Sequence, residues 1–76
     1  MQEYTRRCLD RYIKKYTDAK EAYSKAYQEY LDVLGNNEVD DERKALLAET
    51  YRDAKLKQEV YAGMLADFIV NFADEI

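Results

Sequence analysis

The chain offers few side chains of the types that carry out covalent chemistry. It has one cysteine, Cys8, and no histidine, so it lacks the residues for a histidine-dependent triad or a cysteine and histidine zinc site. Asp40 and Asp41 are adjacent carboxylates, but they lie in a polar stretch without a pocket that would raise a pKa. Neither a glycine-rich phosphate loop nor the ligand spacing of a calcium loop occurs. We therefore expect no enzymatic activity, no cofactor and no metal.

Tyrosine sets the main pattern of the sequence. Residues at one heptad position are Leu9, Tyr16, Tyr23 and Tyr30, and those at the intervening position are Tyr12, Ala19, Ala26 and Val33. Two apolar positions in each heptad predict a helix that buries this seam against a partner helix lying along it. Tyrosine hydroxyls need hydrogen-bond partners, so we expect the rings at the edges of a narrow core, with Tyr4 and Tyr27 the most exposed.

A second periodic stretch supplies the partner helix. Its seam residues, spaced alternately four and three apart, are Leu47, Tyr51, Ala54, Gln58, Tyr61, Leu65, Phe68 and Phe72. The chain has no proline, and the clearest interruption between the two stretches begins at Gly35. Gly35 is predicted to end the first helix in the left-handed conformation, and Asp40 or Asn37 to cap the second.

These features predict an all-α fold, a two-helix antiparallel hairpin that resembles a coiled coil. The first helix is expected at about residues 3 to 34, the turn at 35 to 39 and the second helix at 40 to 75, within a single domain covering 1 to 76. The predicted register places large residues against small ones, with Tyr23 opposite Ala54, Ala26 opposite Tyr51, Tyr12 opposite Leu65 and Leu9 opposite Phe68.

Length and charge limit the function further. With 76 residues, a single core provides only about 3–5 kcal/mol of net stability, so association with another chain is expected. The formal net charge is −4, and residues 35 to 76 alone carry −5, which argues against direct nucleic-acid binding. A lone thiol and the lack of a signal segment favour the cytoplasm, and no apolar run approaches the roughly 18 residues of a membrane span.

The apolar residues outside the two seams predict an interaction surface near the end of the second helix. The candidate interface residues are Tyr4, Cys8, Leu56, Val60, Ala62, Gly63, Ala66, Ile69, Val70 and Ala73, with Met1 and Ile13 widening the stripe at the start of the chain. Candidate charged docking residues are Arg7, Arg11 and Lys14 on the first helix, and Glu38, Asp40, Asp41 and Glu42 around the turn. The favoured interpretation of the basic row is nevertheless a solvated face with interspersed acidic partners, and that of the acidic turn is stabilisation of the helix end.

The sequence therefore predicts a small protein-binding module, an adaptor or inhibitor, that acts by steric occlusion through apolar and tyrosine helix faces. The expected partners are an unidentified protein and a second copy, which would form a four-helix bundle as a homodimer. One alternative is an acidic inhibitor from a phage or mobile element that mimics nucleic acid and blocks a host defence or nucleic-acid enzyme. Another alternative is a structural subunit that assembles without closing.

Overall fold

A computed structural model describes residues 2 to 75, which fold into two long helices. Helix α1 spans Glu3–Leu34, helix α2 spans Asp41–Asn71, and a 3₁₀ turn follows at Ala73–Glu75. The described part of the chain contains no strand. The expected contribution of Met1 concerns a residue outside the described range.

The helices pack side by side and run in opposite directions. Near the open end, the Thr5 hydroxyl donates a hydrogen bond to a Glu75 carboxylate oxygen at 3.1 Å. Near the turn, the rings of Tyr30 and Tyr51 stack with their centroids 5.7 Å apart. The result is a rod of 55 × 15 × 14 Å, which confirms the predicted all-α helical hairpin.

The turn corrects the prediction for Gly35. Its φ is −97° and its ψ is 7°, so the residue is not left-handed. Asn36 makes the left-handed cap unnecessary, because its backbone N–H donates to the Val33 carbonyl at 3.1 Å. Its side-chain oxygen also accepts from the Glu38 N–H at 2.9 Å, forming a local turn of the type that asparagine favours.

Asp40, one of the two predicted caps, starts helix α2. Its carboxylate accepts a hydrogen bond from the Arg43 N–H at 2.8 Å, and Asp41 and Glu42 add negative charge in the first turn. Helix α2 ends at Asn71, earlier than the predicted position near residue 75. The backbone leaves helical geometry at Phe72, where φ is −118° and ψ is 23°.

The core follows the predicted seams but is thin. Among the apolar residues from 2 to 75, only Ala19, Ala26 and Phe68 are buried, and no large side chain is fully enclosed. The remaining predicted seam residues are half-buried, except for Phe72, which is exposed. Phe72 nevertheless stacks on Phe68, with the ring centroids 4.6 Å apart.

Aromatic contacts define the register. Tyr51 lies 5.3 to 5.7 Å from three rings of α1, those of Tyr23, Tyr27 and Tyr30. Together with the buried Ala26, these three residues form the four-residue hole that receives Tyr51 in knobs-into-holes packing. At the other end, the Tyr12 ring lies 5.2 Å from Phe68, one turn beyond the Leu65 predicted opposite it.

Candidate protein-binding surfaces

The hairpin has two broad sides that differ in chemistry. Tyr27 and Tyr51 meet on one side, with ring centroids 5.3 Å apart. On the other, the Lys15 ammonium lies 5.9 Å from the centre of the Tyr61 ring. At 3.6 residues per turn, Tyr51 and Tyr61 differ by about 80° around α2, and Lys15 and Tyr27 by about 120° around α1. The two contacts therefore lie on opposite sides of the plane that contains both helix axes.

We call the side around Tyr27 and Tyr51 the tyrosine face. Its members, assigned by helical spacing from that contact, are Ile13, Tyr16, Lys20, Tyr27 and Leu31 on α1 and Tyr51, Lys55, Ala62, Ala66 and Ile69 on α2. Ile13, Tyr27, Leu31 and Ile69 are each 42% to 45% exposed. This face thus combines half-covered aromatic rings with aliphatic side chains along both helices.

The Tyr23 ring belongs to the cluster beneath this face. Side-chain hydrogen bonding with Tyr51 raises the pKa of Tyr23 above its ordinary value of 10, and desolvation and neighbouring negative groups act in the same direction. The contacts that define this cluster are between rings, with Tyr23 lying 6.1 Å from Tyr27 and 5.6 Å from Tyr51 between centroids.

The opposite side, which we call the cleft side, is more strongly charged. A shallow cleft between the helices is lined by Lys15, Asp18, Ala19, Ala22, Lys57 and Tyr61. Lys15 is already engaged with the Tyr61 ring, and Asp18 accepts a hydrogen bond from Lys14 at 3.4 Å. These interactions leave the cleft side less apolar than the tyrosine face.

A third surface lies on α2, facing away from α1. Leu56, Val60, Gly63 and Val70 follow one another with helical spacing along this outer stripe, and Asp67 interrupts it. The three large apolar side chains are 51% to 74% exposed. Gly63 has open space where a Cβ would lie, and its φ is not positive, so packing and backbone conformation within the hairpin do not require glycine there.

The ten predicted interface residues do not share one surface. Ala62, Ala66 and Ile69 lie on the tyrosine face, and Leu56, Val60, Gly63 and Val70 on the outer stripe. Tyr4 and Cys8 lie on the cleft side near the open end, where Tyr4 is 77% exposed and Cys8 is a half-buried free thiol. Ala73 falls in the 3₁₀ turn after α2.

The predicted basic docking row is partly neutralised by its neighbours. Arg7 forms an ion pair with Glu3 at 2.8 Å, and Lys14 pairs with Asp18 at 3.4 Å, each one turn apart on α1. Arg11, the third member, is exposed. Exposed pairs of this kind contribute little to stability, but they reduce the charge that this row presents to an anion.

The acidic residues of the turn serve the start of α2. Asp40 caps the helix, Asp41 and Glu42 occupy its first turn, and the Glu38 N–H closes the turn with Asn36. Negative charge at a helix N-terminus is stabilising whether or not a partner is present. The idea that this end mimics nucleic acid therefore stays a prediction.

Sequence patterns did not reveal how lysines are placed among the tyrosines. Lys20 lies one turn beyond Tyr16, and Lys55 one turn beyond Tyr51, so each cation lies within an apolar row. The four-residue spacing of each lysine from a tyrosine is visible in the sequence and could have indicated that the two lie on one helix face. The side of the hairpin on which both lysines lie follows only from the contact between Tyr27 and Tyr51.

Within residues 2 to 75, no three thiol or carboxylate groups come together as metal ligands would. None of the described helices combines the length and hydrophobicity needed to cross a membrane. Comparisons with protein-family models, with curated proteins and with solved structures found no match to this chain.

Proposed function

We propose that this chain is a small non-enzymatic protein-binding module, an adaptor or inhibitor, that occludes another protein through apolar and tyrosine helix faces. One observation carries the proposal. Seven large apolar side chains of the tyrosine face and the outer stripe are 42% to 74% exposed, whereas the buried apolar core of residues 2 to 75 consists of two alanines and one phenylalanine. Exposed apolar surface of this extent marks interaction sites in soluble proteins.

The thin core supports association on energetic grounds. Burial of a large apolar side chain contributes roughly 1.5–3 kcal/mol, and the two buried alanines contribute much less. A chain of this size is already near the lower limit for folding on a single core. Covering the exposed side chains with a partner would add burial that the hairpin lacks alone.

A second copy is the partner that best fits the outer stripe. If two α2 helices pack antiparallel about Gly63, Leu56 lies opposite Val70 of the other copy. The apolar groups therefore match, whereas Glu59 and Asp67, which lie opposite each other in the same register, bring carboxylates near the crossing. Gly63 at the crossing would allow the two helix backbones to approach closely.

Light scattering tests the pairing of two copies. The wild-type protein should have the mass of two chains, and Val60→Glu and Val70→Glu should each shift it toward the mass of one chain. Leu46→Glu is the matched control, because Leu46 is 60% exposed on α2 but lies on the cleft side. A wild-type species of one-chain mass at high concentration would contradict the homodimer.

Capture from a lysate of the source organism tests the binding module itself. A protein retained by the wild type should be lost when Ile13 and Leu31 are both replaced by glutamate, and kept with the Leu46→Glu control. Binding through apolar contacts should change little between about 0.05 and 0.5 M salt, whereas a charge-driven mimic would release its target. Retention that is equal for all variants, or that disappears with salt, would contradict steric occlusion by these faces.

A further inference from the structure

Lysines are the charged residues near the middle of the tyrosine face, and the carboxylate of Glu59 lies at its edge near Tyr23. Lys20 on α1 and Lys55 on α2 each follow a tyrosine of the face by one turn, and both are exposed. No ion pair between described residues involves either lysine, whereas Lys14 is paired with Asp18 and Lys15 lies over Tyr61. The face is thus an apolar surface with two available cations.

The two lysines lie at the same level of the hairpin. The contact between Tyr27 and Tyr51 sets the register, and from it Lys20 is seven residues back along α1 and Lys55 four residues ahead along α2. Because the helices are antiparallel, both steps lead toward the open end. At 1.5 Å per residue, the two positions differ by only about 5 Å along the rod. One lysine therefore flanks each side of the groove between the helices.

This charge pattern disfavours a second copy on the tyrosine face. Two copies related by a twofold axis through the middle of this face would bring four ammonium groups together at the interface. Like charges placed opposite each other at an interface are destabilising.

The dimensions of the tyrosine face suit a single helical segment of a partner protein. The rod is 55 Å long and 15 Å wide, so one helix of about 10 Å diameter can lie along this face. A helix laid between α1 and α2 would fill such a face and convert the hairpin into a three-helix bundle. Its apolar side would cover Tyr27, Leu31 and Ile69, which are 42% to 45% exposed.

We propose that the tyrosine face binds an acidic amphipathic helix of the target protein, with carboxylates flanking its apolar stripe and pairing with Lys20 and Lys55. The inference rests on the proposed function, since it names the partner segment of a protein-binding module. Apolar contacts supply most of the affinity, and the lysines select acidic over basic helices. The outer stripe remains available for the second copy.

The test uses two synthetic peptides and isotope-labelled full-length protein. Both peptides are amphipathic helices with leucine at the core positions; glutamate flanks the stripe in one, and lysine replaces it in the other. NMR titration at low salt should show tighter binding of the glutamate peptide, by about tenfold or more. Shifted resonances should concentrate at Tyr16, Tyr27, Lys55 and Ala66, away from Lys15 and Lys57.

Charge reversal tests the role of the two lysines. The double variant Lys20→Glu with Lys55→Glu should weaken binding of the glutamate peptide about tenfold, since two exposed ion pairs are lost. The control, Lys25→Glu with Lys57→Glu, makes the same change in net charge on other sides of the same helices and should bind like the wild type. Circular dichroism should show equal helix content in both, and light scattering an unchanged mass.

Three results would overturn the inference. These are equal binding of the two peptides, shifts that map to the cleft side, and equal weakening by both double variants. Binding to phosphatidylserine vesicles in place of the glutamate peptide would assign the lysines to a lipid surface instead. If the peptide fails while a lysate protein is still retained through Ile13 and Leu31, the binding module stands and the acidic helix does not.

Discussion

Single side chains mark the points where the helices begin and meet. Asp40 accepts from the Arg43 N–H and satisfies one of the free donors at the start of α2. Thr5, the only buried polar residue of the described chain, donates to Glu75 across the open end. Tyr51 inserts among three tyrosine rings near the turn. These contacts hold both ends of the antiparallel pair.

Replacing Asp40 by alanine should destabilise the hairpin by about 1 kcal/mol, because the Arg43 N–H loses its acceptor. Asp40→Asn keeps an acceptor oxygen and should remain close to the wild type. Chemical denaturation followed by circular dichroism measures both changes. Equal loss in the two variants would mean that charge, rather than the capping bond, stabilises this helix end.

The Tyr23 hydroxyl should titrate at a higher pH than an exposed tyrosine, because hydrogen bonding with Tyr51 favours its protonated form. Since the folded-state pKa is raised, the associated stability is fully present below about pH 10 and is lost as the pH rises through the folded-state value. Tyr51→Phe should move the Tyr23 pKa back toward its ordinary value. NMR of isotope-labelled tyrosine rings measures the shift, and an unchanged Tyr23 titration would contradict the assignment.

The periodicity of the two helices predicted their pairing well. Each helix has one apolar seam, and within the hairpin the two seams can be buried only against each other. The heptad positions of Tyr16 and Tyr23 are half-buried, as their spacing indicates. The ends were harder to predict. Gly35 resembles a left-handed cap in sequence, but the hydrogen bonds of Asn36 close the turn without one. Phe72 continues the seam in spacing, yet α2 has already ended at Asn71.

Gly63→Ala separates the stability of α2 from its association. The residue lies within α2 with no chain atom near its Cβ position, so alanine should stabilise the hairpin by roughly 0.5–1 kcal/mol. The added methyl group would hold two outer stripes apart, so the dimer should become weaker. Denaturation of the monomeric Val70→Glu background and light scattering of the single variant measure the two effects. A tighter dimer would contradict a close crossing at Gly63.

At the scale of the whole molecule, the rod is too thin to enclose its own apolar surface. Helical spacing could predict that such surface exists, and it grouped residues from Leu56 to Ala73 as one interface. The spacing also sets Ala66 and Val60 about 120° apart, but the side of the hairpin on which each lies depends on the direction from which α1 approaches. The positions of Lys20 and Lys55 relative to each other depend on the same geometry.

Dilution should lower the melting temperature of the wild-type protein, because a dimer that forms only from folded chains is stabilised by mass action. Val60→Glu should melt at a temperature that no longer depends on protein concentration. Circular dichroism over a wide concentration range measures this dependence. A concentration-independent wild-type melting temperature would show that a second copy adds no stability to the hairpin.

The antiparallel pairing also sets an order in which contacts can form. Tyr30 and Tyr51 are close in the chain, so bringing them together closes a short loop, whereas Thr5 and Glu75 close a loop of nearly the whole chain. Loop closure costs more entropy as the loop lengthens, so we expect assembly to proceed from the tyrosine cluster outward. The open end, with the Thr5 bond, is then expected to close last and open first.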